Sequence, residues 1–100
     1  MIDDVMDINS PSNTLSVSTS SNRVETTTTG TDRVIIDNTV AGAVECYIKS
    51  GNSTVTAATT DTHVGVGVYL TYRIDPSHTH IAGITASGTG TVVIQRGSGD

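Results

Sequence analysis

The histidines are the first residues whose types and spacing could support chemistry. His78 and His80 lie two positions apart, so a strand would place both imidazoles on one face, where His63 or Asp61 could join them. Two imidazoles at this spacing can bind a transition metal. The competing interpretation is a pair of surface histidines where a loop meets a strand. We adopt that interpretation and predict neither a metal site nor a cofactor.

The side chains needed for nucleophilic catalysis form no recognisable motif. Such a centre brings a serine or cysteine together with a base and a group that orients the base. No Gly-x-Ser-x-Gly turn occurs, and Ser98 lies between two glycines near the chain end. Cys46 alternates with Val44 and Ile48, which predicts a small buried apolar side chain. No acidic pair shares a strand face as glycoside hydrolysis requires. The sequence therefore predicts no catalytic residues and no enzyme.

The tyrosines raise the question of carbohydrate binding, because sugar sites usually contain aromatic platforms. The chain has Tyr47, Tyr69 and Tyr72 and no tryptophan. Alternation along the predicted strands places Tyr47 and Tyr69 on outward faces. An amphipathic ring at such a position suits a protein interface or an ordinary surface. We predict that these two tyrosines contribute to a protein interface.

The elements that must position these residues are strands. The chain of 100 residues contains 18 Thr, 12 Val and 9 Ile, against two Leu and no Phe or Trp. Side chains branched at Cβ lose rotamer freedom in helices and fit strands, so the composition predicts an all-β protein. Turn residues divide the chain into seven or eight short antiparallel strands. This spacing predicts a small β-sandwich or jelly-roll-like domain with an extended N-terminal arm.

Individual strands follow from alternation and from the turn residues between them. The C-terminal pair, residues 79–86 and 91–95, is predicted to form a hairpin through the Ser-Gly-Thr-Gly turn at 87–90. Residues 63–74 are predicted to form the longest strand, since apolar residues alternate over eleven positions. The other predicted strands cover residues 13–17, 23–29, 33–37 and 43–49 and a short stretch around Val55.

Three segments describe the predicted organisation: an arm at residues 1–12, a β-sandwich domain at 13–97 and a flexible end at 98–100. In the arm, Ile2, Val5 and Met6 fall at helical spacing, but so short a helix needs a partner surface. We predict that the arm docks on a partner through four apolar side chains, those of Ile2, Val5, Met6 and Ile8.

The supply of aliphatic side chains is small for a self-sufficient domain. Leu, Ile and Val total 23 residues, and a domain of this size has little stability to spare. A disulfide cannot add stability, because Cys46 is the only cysteine. The composition therefore predicts that the domain gains stability from oligomerisation or from docking on a larger assembly.

Charge and segment patterns exclude several classes of partner. The formal net charge is −5 and the five basic residues are scattered, which argues against nucleic-acid binding. No apolar run approaches the roughly 18 residues that a membrane span needs. The N-terminus has no signal-peptide pattern, and one lone cysteine fits assembly in a reducing compartment. We expect no nucleic acid and no membrane among the partners.

One stretch of the chain resembles a known family. The run THIAGITASGTGT at residues 79–91, Asp37-Asn38-Thr39, and the segments 43–51 and 53–56 resemble small β-sandwich proteins of tailed bacteriophages, encoded among the head genes. The resemblance covers roughly residues 31–97 and rests on turns and strand patterns. His78 and the glycines Gly65 and Gly67 depart from it.

This resemblance implies a capsid decoration, or cement, protein. It would be made in the cytoplasm of a bacterial host and would bind the outer surface of the virion, with the major capsid protein as its partner. There it would form a homotrimer at local threefold positions and stabilise contacts between neighbouring subunits. Two alternatives remain open: a receptor- or glycan-binding head fibre or tail module, and a head–tail connector component.

Overall fold

The protein is an all-β sandwich, as the composition predicts. The computed structural model describes residues 7–8, 13–26 and 33–98, and within these ranges it contains nine strands and no helix. Eight of the strands are three residues or longer. The strands are β1 Asp7–Ile8, β2 Asn13–Val17, β3 Asn22–Glu25, β4 Arg33–Asp37, β5 Cys46–Gly51, β6 Thr62–Val64, β7 Tyr69–Arg73, β8 His80–Ile84 and β9 Gly90–Ser98.

The strands form two antiparallel sheets. In the first sheet, β9 is central, with β4 and then β7 on one side and with β1 and β2 on the other, each paired with a different part of β9. The second sheet has the order β3-β8-β5-β6. Considering only the strands that the structure describes, β7 and β6 are free edges along one side of the sandwich, and β2 and β3 lie at the opposite side.

The core lies between the sheets and follows from strand alternation. Leu15 pairs with Val92 across β2 and β9, and Ile36 pairs with Ile94 across β4 and β9, so these side chains share the inner face. Eleven buried residues make up this core: Leu15, Val17, Val34, Ile36, Cys46, Ile48, Val64, Ile74, Ile81, Val92 and Ile94. The predicted strands at 13–17 and 33–37 are confirmed, and Leu15 and Val17 are buried as the alternation at 13–17 predicts.

The predicted C-terminal hairpin is wrong. β8 pairs with β3 and β5 in the second sheet, whereas β9 pairs with strands of the first sheet. The turn at 85–89 therefore crosses from one sheet to the other. Thr85 fixes this crossing, because its N–H donates to the Ser18 carbonyl and its hydroxyl donates to the Gly88 carbonyl, both at 2.8 Å. Gly88 adopts φ of 82°, which glycine reaches without strain.

The predicted eleven-position strand at 63–74 is also wrong. It divides into β6 in the second sheet and β7 in the first, because the chain turns between them. Gly67 adopts φ of 87° in this turn, and its N–H donates to the Asn38 carbonyl at 3.0 Å. Both strands keep the predicted alternation, but the turn carries β7 to the other side of the sandwich.

The segment around Val55 is not a strand. Residues 52–58 form turns and irregular structure, and Val55 and Ala57 pack on Ala82 at the outer face of the second sheet. The Asn52 side-chain oxygen accepts from the N–H of Thr54 at 3.0 Å and so closes the turn. The strand predicted at 43–49 begins only at Cys46 and runs on to Gly51.

Three further boundaries differ from the predictions or extend beyond what is described. β3 ends at Glu25, and residues 27–29 of the predicted strand lie outside the described residues. β9 continues past Gln95 to Ser98, so its end pairs with β1. The short strand β1 belongs to the segment predicted as an arm.

Candidate functional site

Within the described ranges, the largest exposed apolar side chains lie together in sequence at one edge of the first sheet. Val66, Tyr69 and Leu70 are 61%, 59% and 53% exposed. Val66 belongs to the turn before β7, and the other two begin that strand. We call residues 66–73 the open edge. Tyr69 lies on the outer face of β7 and Leu70 on its inner face, so exposed apolar groups flank both sides of this edge, and exposed apolar surface of this kind marks interaction sites.

The backbone of β7 offers hydrogen-bonding groups on its free side. The Asn38 N–H donates to the Val68 carbonyl at 2.8 Å, so residue 68 directs its carbonyl towards β4. Because the direction alternates along an antiparallel strand, Leu70 and Tyr72 also face β4. Tyr69, Thr71 and Arg73 then direct their N–H and carbonyl groups away from the sheet. All three of these residues are exposed.

Asn38 fixes the loops beside the open edge. Its side chain is fully buried, and its Nδ2 donates to the carbonyls of Val44 at 2.8 Å and Gly65 at 3.0 Å. Its Oδ1 is buried without a hydrogen-bond partner. One amide therefore holds the 40–44 loop and the turn leading to β7 in place, at the cost of one unpaired acceptor.

The opposite side of the sandwich is closed by bonds that join the two sheets. The Asn22 side chain of β3 donates to the Ser16 carbonyl of β2 at 3.0 Å. Beside this contact lies an open concavity of about 620 Å³, lined mostly by serine, threonine and asparagine side chains. No tyrosine lines it, so the concavity offers no aromatic platform for a sugar ring.

Tyr47 lies where alternation predicts, on the outer face of the second sheet. Its ring lies 5.2 Å, centroid to centroid, from that of His63, its cross-strand partner, with the two ring planes tilted by 40°. His63 Nε2 in turn lies 3.1 Å from Glu45 Oε1, and both of these side chains are largely exposed. An exposed contact of this kind contributes little to stability. The three side chains form an ordinary polar surface with one half-buried ring.

His78 and His80 do not converge on a common ligand position. His78 Nδ1 lies 2.7 Å from the Ser50 hydroxyl, and His80 Nδ1 lies 2.7 Å from the hydroxyl of Thr79. Among the described residues, no three His, Cys, Asp or Glu side chains group closely enough to hold a metal ion.

The Ser50–His78 contact resembles part of a hydrolase dyad, but its surroundings are structural. Hydrogen bonds from the N–H and hydroxyl of Ser77 lower the pKa of the nearby Asp75 carboxyl. Asp75 therefore closes its own turn rather than orienting His78. The backbone carbonyl of His78 accepts from Arg96, so this histidine anchors the turn on the core.

One buried charged side chain, that of Arg96, was not identified from the sequence. Arg96 is fully buried on the inner face of β9, and its Nη1 donates to the Thr26 hydroxyl at 3.1 Å and to the His78 carbonyl. Removal from water lowers its pKa. The alternation of Val92, Ile94 and residue 96 was the available signal. An inward arginine supplies apolar volume through its stem.

Cys46 is buried and free, as alternation predicts. Its thiol is fully enclosed between the sheets, and this burial raises its pKa to about 11. A thiol of this kind is inert, because the thiolate is the reactive form.

The predicted interface residues fall into two groups. Ile2, Val5 and Met6 lie outside the described residues, and of Ile8 only the backbone pairing with Gly97 is described. Tyr47 and Tyr69 both lie on outward faces, and only Tyr69 belongs to the open edge. Sequence reasoning missed Val66 and Leu70, because it placed them inside one long strand.

Comparison with known protein families, curated proteins and solved structures finds no match. In the part of the chain that is described, no helix is long and apolar enough to cross a membrane. The geometry of the open edge is therefore the main guide to function.

Proposed function

We propose that this protein is a capsid decoration protein, which binds the outer surface of a phage capsid and stabilises contacts between neighbouring major capsid subunits. The resemblance of residues 31–97 to phage head proteins suggests the assembly. The observation that carries the proposal on the structural side is the open edge, where Val66, Tyr69 and Leu70 expose apolar surface.

The shape of the domain suits a purely structural role. A small antiparallel sandwich with inert buried Cys46 presents strands and turns to its surroundings. A ligand that binds only the native state stabilises it by mass action, and a shell presents many binding sites at high local concentration. A domain with few aliphatic residues benefits from both effects.

The N-terminal residues supply a second contact in this proposal. Ile2, Val5 and Met6 would anchor in apolar grooves of the shell, with β1 tying the segment to β9 through Gly97 and Ser98. The net charge of −5 fits a surface that faces water rather than packaged nucleic acid.

Copy number tests the proposal. The full-length chain is added to purified capsids that lack it, and bound copies per shell are counted by quantitative mass spectrometry. We expect on the order of hundreds of copies, because the shell repeats the site, whereas a ring-shaped connector would give about six or twelve. A count in the lower range, or no binding, would overturn the proposal.

A deletion of residues 1–6 isolates the contribution of the arm. It leaves β1 in place, so the pairing with the end of β9 is preserved. We expect fewer bound copies at equal concentration and an unchanged unfolding transition for the free domain. Removing residues 1–12 also removes β1 and serves as the comparison. Undiminished occupancy after either deletion would exclude a docking role for the arm.

A further inference from the structure

We propose that β7 is a self-pairing edge, through which two copies of this chain join antiparallel strands about a two-fold axis at Thr71. The inference concerns the free protein and does not depend on the proposed function. It begins from the free side of β7, where Tyr69, Thr71 and Arg73 present backbone donors and acceptors to solvent.

The other edges of the sandwich carry features that oppose pairing. β6 has only three residues, and β3 carries Arg23 and Glu25 within four. β2 continues into the turn that joins it to β3 and is held there by Asn22. β7 has five residues, no proline and a single charge, Arg73, at its end. Natural sheets use shortness, charge and cover to protect edges, so β7 is the edge that pairing fits.

The occupant follows from the residues of β7 themselves. In an antiparallel pair centred on Thr71, Tyr69 faces Arg73 of the second copy and Leu70 faces its Tyr72. Arg73 then meets a tyrosine ring rather than another arginine, which allows a cation–π contact on each side of the axis. A parallel pair in register would instead set Arg73 against Arg73.

Charge along the outer face supports the same register. Asp37 lies across from Tyr69, and Arg33 lies across from Arg73, in the pairing of β4 with β7. Across the four strands of the paired sheets, one row of outer-face residues would therefore consist of Asp37 and Tyr69 of one copy, followed by Arg73 and Arg33 of the second copy. A second, symmetry-related row lies on the other side of the axis. Each row would thus carry one acidic group from one copy and two basic groups from the other, with the tyrosine ring between them, so no row sets the arginines of one copy against those of the other.

Hydrogen bonds and burial agree with this register. Residues 69, 71 and 73 of both copies would form up to about six backbone hydrogen bonds. Leu70, now 53% exposed, would pack beside Tyr72 of the second copy. Tyr72 lines a small cavity of about 90 Å³ between the sheets, together with Ile48 and Ile81. Leu70 of the second copy would thus cover the exposed side of the core beside Tyr72.

The first test measures mass in solution. Sedimentation equilibrium of the full chain, from about 1 µM to about 1 mM, brackets the range of weak dimers. We expect twice the chain mass at the upper end. A monomer throughout, or three times the chain mass, would overturn the proposal.

The second test fixes the register. Thr71→Lys and Thr71→Glu each set like charges face to face at the axis, so each should weaken self-association by about tenfold or more. An equimolar mixture should restore it, because lysine then faces glutamate. Thr14→Lys and Thr14→Glu are matched controls, since Thr14 is an exposed threonine in β2 of the same sheet. Equal effects at both positions, or no recovery on mixing, would contradict β7 pairing.

A cross-link gives an independent readout for folded protein. Thr71→Cys should form a disulfide-linked dimer on mild oxidation, because directly opposed residues have Cα atoms about 5.5 Å apart. Tyr69→Cys should not, because residue 69 faces residue 73 in this register. The native Cys46 is buried and stays out of the reaction. Cross-linking at 69 but not at 71 would exclude the proposed axis.

Discussion

The chain has two leucines, and they lie at opposite sides of the sandwich in opposite environments. Leu15 of β2 is 1% exposed and packs against both sheets, whereas Leu70 of β7 is 53% exposed. Both occupy strands at the border of the first sheet, and both point towards the inner face by alternation. The difference is that β3 continues the sandwich beside β2, while nothing among the described residues covers Leu70.

The contrast between the two leucines shows that a low aliphatic content does not leave the interior poorly filled. A small supply of aliphatic residues suggests a poorly filled interior, yet the eleven core residues are closely enclosed. The buried stem of Arg96 adds volume to that interior. Apolar side chains instead remain on the surface at Val66, Tyr69 and Leu70. Among the described residues, the missing burial is therefore localised at one edge, which a partner of the right shape can complete.

The largest expected effect comes from truncating the buried leucine. Leu15→Ala removes a side chain that fills the space between the sheets, and we expect a loss of about 2–5 kcal/mol in the free energy of unfolding. Leu70→Ala in dilute monomer should cost less than about 0.5 kcal/mol, because little apolar surface is lost. Urea unfolding at low protein concentration measures both. Similar losses for the two leucines would remove the distinction between the edges.

The glycines near these leucines provide the next comparison. A Cβ on Gly83 would lie 2.9 Å from both Leu15 Cδ2 and Val17 Cγ1, closer than side-chain carbons pack. Gly83→Ala should therefore cost about 1–3 kcal/mol through overpacking. Gly65→Ala is the control beside the open edge, where a Cβ would meet only ordinary contacts at 3.8 Å. Thermal unfolding should show a clear shift for the first variant alone.

Asn38 tests whether the open edge depends on one buried amide. Asn38→Ala leaves the carbonyls of Val44 and Gly65 without their donor, and we expect a loss of about 1–3 kcal/mol. Hydrogen exchange should accelerate at Gly67, whose N–H binds the Asn38 carbonyl, and not at Thr85 on the closed side. Uniform acceleration at both amides would show that the two sides are not separate in stability.

The features of the fold that depend on neighbouring residues could be predicted from the sequence, whereas those that depend on pairing between distant strands could not. Alternation identified the strand at 13–17 and the buried Cys46, because it reports which face of a strand is inside, and the apolar run at 34–36 identified the strand at 33–37. It could not identify the sheet to which a strand belongs. The 79–95 segment therefore resembled a hairpin, although Thr85 bonds to Ser18 and carries the chain across.

The open edge was missed for the same reason. Unbroken alternation through residues 63–74 concealed the turn at Gly67, so Leu70 was placed inside one long strand. Only the pairing of Asn38 with Gly67 and Val68 shows that the chain changes sheets there. Tyr69 was predicted at an interface from its outward position alone. Arg96 was missed because the predicted strand ended at residue 95, whereas β9 runs on to Ser98 and buries the arginine stem.

The smallest expected effect is a difference in alkylation between the buried thiol of Cys46 and a thiol introduced at the open edge. Burial raises the pKa of Cys46 to about 11 from its ordinary value of 9.0. Iodoacetamide at pH 8 should therefore leave Cys46 unmodified in the folded protein, while Thr71→Cys should react readily when the protein is dilute and monomeric. Mass spectrometry of the intact chain counts the modified thiols.

The same shift predicts the sign of a pH effect. Because the folded pKa lies above the unfolded one, the unfolded thiol releases its proton first as the pH rises. The stabilising contribution of the neutral thiol is thus complete below pH 9.0 and is lost as the pH rises towards about 11. Cys46→Ala should remove this component of the pH dependence, whatever its effect on packing at neutral pH. If Cys46 and the thiol of Thr71→Cys were alkylated at the same rate, the interior would be as accessible to the reagent as the open edge. The contrast between the two leucines would then have to be explained by side-chain packing alone.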